Sequence, residues 1–150
     1  MLIDSHCHLN YKGLVEDQSA ILARARQSGV AGFLNISTRA SEWDAVVATA
    51  AREPDVWASV GIHPHEADAH ADLGAQVLRD ATAHPRVIAI GETGLDYYYD
   101  HSDRAVQRKL FRVHIAGVDD QRQPGLARDA DVDAEQLALH FAIRVVVVIV

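Results

Sequence analysis

The chain has 150 residues, of which 49% are hydrophobic and 23% charged, a composition that excludes a disordered or fibrous protein. Fourteen basic residues against twenty-one acidic ones leave a net charge of −7, which excludes a broadly basic surface for nucleic acid and confines any polyanion contact to a local pocket. A single cysteine, Cys7, has no internal disulfide partner and points to a reducing, cytoplasmic setting.

The start shows neither a basic nor an apolar leader region, and the longest apolar run, 145–150, is far short of the roughly 20 residues that span a bilayer. No membrane or obligate protein partner is expected. Met1 to Ile3 reads as a short buried strand running into polar residues. A helix over 16–28 follows, with Ile21, Leu22 and Ala25 at helical spacing and Gly29 as its stop. Gly32 to Ile36 is the second strand. Ser41 is a candidate N-cap for a second helix that buries Trp43, Val46, Val47 and Ala50 and ends before Pro54. Val56 to Val60 is the third strand, 71–83 a third helix, Val87 to Ile90 the fourth strand, and Asp103 to Ile115 a fourth helix capped by Ser102 or Asp103. Four successive βα units predict an α/β fold with a parallel sheet and helices packed outside it.

Three strands end in polar chemistry: Asp4-Ser-His6-Cys-His8, Gly61-Ile-His63-Pro-His65, and Gly91-Glu92-Thr-Gly-Leu-Asp96. Ligands of parallel α/β folds bind at the carboxyl ends of strands, so the three clusters predict one shared site. Residues two apart on a strand face the same way, which lets His6 and His8 reach one ion. Imidazole is the commonest protein ligand for such ions. Glu92, set among glycines, completes a three-ligand metal set, and the ion supplies the charge that a buried carboxylate needs. His63, stiffened by Pro64, is a candidate for binding an anionic substrate group or for proton transfer. His65 reads equally well as a surface residue. Asp96 with Tyr97 to Tyr99 offers a polar rim and stacking surface for a base or sugar, with at least one tyrosine in ordinary packing. Cys7 falls on the opposite face of its strand from the two histidines and reads as a small buried apolar residue. His70, His84, His101 and His140 read as solvent-facing, and His114 as packing or surface.

These three motifs, with the segment from Gln107 to Ile115, resemble the TatD family of metal-dependent deoxyribonucleases, of the amidohydrolase superfamily. The resemblance runs from Met1 to about Ala116. It implies a TIM-type (β/α)8 barrel, present here as an incomplete part of about four βα units, with one or two divalent metals (zinc, magnesium or manganese). The implied activity is hydrolysis of phosphodiester bonds in DNA, of the 3′–5′ exonuclease type. On that basis His6 and His8 match the family's first pair of metal ligands, Glu92 its bridging and catalytic carboxylate, and His63 its histidine near the substrate phosphate.

Beyond Ala116 the pattern departs. Leu126 stands where the family's His-x-Arg-Asp motif has its histidine, the stretch from Asp119 to Gln123 is too polar for a buried fifth strand, and His140 matches no later histidine securely. A complete barrel takes about 250 residues. Residues 1–116 are therefore expected to form part of a hydrolase barrel and 117–150 a divergent tail, as from a frameshift, ending in the β-prone segment 142–150. The expected consequence is weak metal binding and little nuclease activity from this chain alone. Two other readings stand beside the nuclease: an amidohydrolase-type enzyme acting on a small amide or ester, and a non-catalytic fragment completed by another chain.

Overall fold

A computed structural model describes residues 2–119 and 146–149. In chain order they form β1 (Leu2–Cys7), α1 (Gln18–Gln27), β2 (Val30–Asn35), α2 (Trp43–Arg52), β3 (Val56–Val60), α3 (Ala75–Ala81), β4 (Val87–Thr93), α4 (Arg104–Asp119) and β5 (Val146–Ile149). The strands pair side by side in the order β1-β2-β3-β4-β5, each pair parallel. This is the strand–helix alternation of an incomplete (β/α)8 barrel, with four complete βα units.

The core lies between the sheet and its helices. Leu22 of α1, Val46 and Ala50 of α2, Leu78 of α3 and Leu110 of α4 pack with Phe33, Val56, Ala58, Val60 and Ile90 of the strands. Gly29 ends α1 at φ +90, a conformation open to glycine at little cost. Arg26 then ties α1 across to the turn before β3, with Nη2 2.9 Å from Glu53 and 2.5 Å from Asp55.

Several element boundaries differ from the sequence expectation. β1 runs through to Cys7, and it is not buried: Leu2 and Ile3 are 61% and 57% exposed. The reason is position, because β1 is an edge of the described sheet and pairs only with β2. β2 begins and ends earlier than predicted, and β4 continues to Thr93, so Glu92 sits within a strand rather than past its end. Ser41 is not a helix cap. It lies inside a short 3-10 turn, Ala40–Glu42, where the Glu42 carboxylate reaches back to accept from the Thr38 N–H and hydroxyl, both at 3.0 Å. Residues 15–17 likewise form a 3-10 turn ahead of α1. The third helix starts only at Ala75, after two 3-10 turns at Pro64–Glu66 and Asp68–His70.

Asp103, not Ser102, caps α4, accepting from the N–H groups of Ala105 (2.8 Å) and Val106 (3.1 Å). Ser102 instead donates to the carbonyl of His65. α4 continues to Asp119, past the predicted end at Ile115. His70 and His84 are half-buried rather than solvent-facing, because each has a backbone partner. The His70 Nδ1–H donates to the Glu66 carbonyl at 2.8 Å, and His84 Nδ1 accepts from the Arg86 N–H at 3.2 Å. Tyr97, Tyr98 and Tyr99 are all exposed, at 40%, 85% and 64%, so none is the packing residue expected among them. Their loop is held instead through Asp96 and Gln107. The departures read at Leu126 and His140 lie outside the described residues.

Candidate metal centre

The carboxyl ends of β1, β3 and β4 meet. His6 and His8 bring their Nε2 atoms to 3.2 Å of each other, and Glu92 lies below them, 3.5 Å from His6 and 3.6 Å from His8. One donor atom from each of the three falls within 4.8 Å of the others. His63 Nε2 stands 4.0 Å from the same carboxylate. Glu92 is buried, and its ion pairs among the described residues are all with imidazoles. A buried carboxylate without a permanent cation beside it is costly, so this donor set suits a divalent ion.

Backbone contacts decide what each imidazole offers. His8 Nδ1 lies 3.2 Å from the Ile36 carbonyl, which can only accept, so Nδ1 carries the proton and Nε2 presents a lone pair toward Glu92. His63 is the reverse. Its Nδ1 accepts from the His65 N–H at 3.1 Å, which leaves a neutral ring with its proton on Nε2, facing the cleft as a donor. Burial also holds His63 below the usual histidine range, with Glu92 offsetting part of the shift. The same strand-end geometry thus turns a lone pair into the cleft at His8 and an N–H donor at His63.

Three glycine-dependent and aromatic contacts frame the floor and wall. Gly61 and Gly91 approach backbone to backbone beneath Glu92, with no room for a side chain between them. Tyr11 stacks on His8 at 4.4 Å between ring centroids and 17° between planes, and its hydroxyl donates to Thr38. The His63 and His65 rings meet edge to face at 4.4 Å.

The predicted site residues divide by distance. His6, His8, His63 and Glu92 converge. Asp96 stands back and acts through its neighbours: its carboxylate pairs with His65 and accepts from the N–H groups of Tyr98 (2.9 Å) and Tyr99 (3.1 Å). His65 and those N–H groups hold the Asp96 carboxyl down at about 2. Cys7 points away, its thiol donating to the Leu34 carbonyl, and burial, with Asp4 nearby, pushes it up to about 12.

A cleft of about 370 Å³ opens over the site, lined by His8, Tyr11, Thr38, Arg39, His63, His65, Glu66 and Glu92. A hollow of about 440 Å³ elsewhere, between α1 and α2, has no histidine or cysteine among the described residues that line it. Sequence reasoning missed Tyr11, Thr38, Arg39 and Glu66. It counted three polar strand ends and passed over the fourth, Ser37-Thr38-Arg39 after β2, although the rule that ligands sit at strand ends applies there equally.

The profile of the family described as TatD related DNase matches residues 3–124. The chain belongs to this family. It is 34% identical over 124 residues to the 3′-5′ ssDNA/RNA exonuclease TatD of Musicola paradisiaca, covering 82% of this chain and 47% of that protein. It is 33% identical to an uncharacterized metal-dependent hydrolase TatD of Mycobacterium tuberculosis, over 76% of this chain and 46% of the relative. Among solved structures, the TatD homologue YJJV of Escherichia coli K12 superposes with a TM-score of 0.71 at 31% identity, covering 77% of this chain and 45% of that one. The chain therefore spans about half the length of the TatD relatives it matches. Among the described residues no helix is long and apolar enough to cross a membrane.

Proposed function

We propose that this chain is the N-terminal part of a TatD-type metal-dependent nuclease that hydrolyses phosphodiester bonds of DNA, removing nucleotides from the 3′ end. The observation that carries the reading is the convergence of the His6 and His8 Nε2 atoms on the buried Glu92 carboxylate, with the His63 donor facing the same point. The stretch 1–116 carries these groups, and 117–150 is its divergent tail. The lone cysteine supports a cytoplasmic setting.

In this reading His6, His8 and Glu92 hold one or two divalent ions, zinc, magnesium or manganese. An ion bound there supplies Lewis acidity toward a phosphate and lowers the pKa of its water. The Ile36 carbonyl fixes the His8 ring so that Nε2 stays available. Neutral His63 donates from Nε2 to a non-bridging phosphate oxygen and so orients the ester. Asp96 keeps His65 in place, and the His65 N–H in turn fixes the His63 tautomer.

The test is metal titration by calorimetry together with a nuclease assay supplemented with zinc, manganese or magnesium. Glu92→Gln removes the one negative charge of the three-donor set while keeping a neutral amide oxygen, and should weaken metal affinity at least about tenfold, as much as changes to outer-shell partners alone cost. Nuclease activity that persists unchanged in a His6→Ala, Glu92→Ala double variant would sink the assignment.

A further inference from the structure

Among the described residues lining the cleft, Arg39 is the one that carries a permanent positive charge. Its place is braced on both sides. The carbonyl of Thr38, just before it, accepts from the His63 N–H at 2.8 Å. The N–H of Ala40, just after it, donates to His70, whose ring is anchored to the Glu66 carbonyl. The guanidinium is therefore carried on backbone tied directly to His63.

Its charge partners leave it spare capacity. Nε faces Glu42 at 3.1 Å and Nη2 faces Glu66 at 3.4 Å, while Nη1 takes part in neither ion pair. The planar fork has five N–H donors, a geometry that suits two oxygens of one phosphate. The side chain is 44% exposed, so a ligand can reach it. Glu42 is not free to follow Arg39, because its other oxygen is held by the Thr38 N–H and hydroxyl.

We propose that Arg39 is a second phosphate contact, holding the backbone phosphate next to the scissile one, so that the cleft selects a polynucleotide strand over a lone phosphate ester. The inference rests on the nuclease reading above and adds to it a residue that positions the strand. His63 and the metal donors deal with the phosphate that reacts. The Arg39 guanidinium lines the same cleft with its Nη1 outside both ion pairs, so it can meet a second phosphate beside the one those groups hold. In a strand, the neighbouring phosphate is the anion it can meet.

The test compares two probes on the full chain, oligothymidylate and thymidine monophosphate, each with added manganese and in chelator. Arg39→Gln should weaken oligothymidylate binding about tenfold and lower the slope of log affinity against log salt by about 0.7, the loss of one single-strand phosphate contact. Binding of the mononucleotide should change less than about twofold. Arg39→Lys keeps the charge without the fork, and should restore the salt slope but not the full affinity. Glu66→Gln releases the guanidinium from one partner and should tighten oligothymidylate about twofold with thymidine monophosphate unchanged, a readout that holds where Arg39→Gln folds poorly; equal tightening of both probes is a general charge effect and overturns the inference. An Arg39→Gln chain that binds both probes like wild type, or loses both equally, overturns the inference and leaves the nuclease reading standing. A wild-type chain that binds oligothymidylate in neither condition overturns both.

Discussion

Gly61→Ala tests the packing that carries Glu92. A Cβ built at Gly61 would lie 2.4 Å from the Gly91 carbonyl carbon, 2.6 Å from its Cα and 2.7 Å from its nitrogen. Ordinary contact begins at 3.4 Å, so β3 and β4 must part by about 1 Å at this point. Every obstructing atom is backbone, so no rotamer change relieves it. Nor can Gly61 retreat freely. Its carbonyl accepts from Trp43 Nε1 at 3.1 Å, and its N–H donates to the Ser37 hydroxyl at 3.1 Å, both buried. Forcing an extra methyl into a packed interior costs about 1–3 kcal/mol. Stretching one of the two buried hydrogen bonds adds about 1 kcal/mol. The expected loss is thus about 2–4 kcal/mol, a large share of the roughly 5–15 kcal/mol that holds a domain folded. Because Gly91 precedes Glu92, metal affinity should fall as well. Urea unfolding with and without metal, followed by calorimetric titration, measures both effects. Gly74→Ser is the control: its Cβ meets nothing within 4 Å, and it places a favoured residue at the N-cap of α3. A Gly61→Ala chain within about 0.5 kcal/mol of wild type, with unchanged metal affinity, would refute the close-approach argument.

Further outcomes follow from the core and from its buried histidine. Leu22→Ala empties a fully buried site on α1 and should cost about 2–5 kcal/mol in denaturant unfolding, with little direct effect on the metal donors, which lie on other elements. His114 is fully buried, accepting from the Ile62 N–H at 3.0 Å through Nε2 and donating from Nδ1 to the Leu110 carbonyl at 2.8 Å. Burial holds it below its ordinary 6.5, with the Leu110 bond partly opposing. Its folded pKa is the depressed one, so its contribution to stability is fully present above pH 6.5 and is lost as pH falls through the folded value. His63, shifted the same way by burial, adds to the same slope. Unfolding free energy measured from pH 7 to pH 5 should therefore decline. His114→Leu should flatten that decline while costing about 1–3 kcal/mol at neutral pH, because the Ile62 N–H is left buried without an acceptor. A variant as steeply acid-sensitive as wild type would remove His114 from the account.

Much of this protein was legible in its residues because the signals are local. The helix faces at Val46 and Ala50, the stop at Gly29, the Asp103 cap and the run Val56–Val60 follow from periodicity and turn chemistry that need no distant partner. The spacing of His6 and His8 pointed to two rings able to reach one point, although only His6 lies in β1 and His8 follows its end, and three polar strand ends in a parallel α/β order implied one shared site. Other features depended on long-range packing. That β1 is an edge of the described sheet, paired with β2 alone among the described strands, is a matter of topology that Met1-Leu-Ile does not encode. His8 became a lone-pair donor and His63 an N–H donor because Ile36 and His65, from different loops, oppose their Nδ1 atoms. His114 joined the site's support by meeting Ile62, 52 residues away in sequence. Arg39 entered the cleft only because the β2 end lies beside His63 in the folded sheet. Residue type and spacing determined the chemistry available to this chain; the tertiary structure decided which nitrogen, oxygen or charge faces the cleft, since hydrogen-bond direction is set by whichever backbone group packing brings opposite.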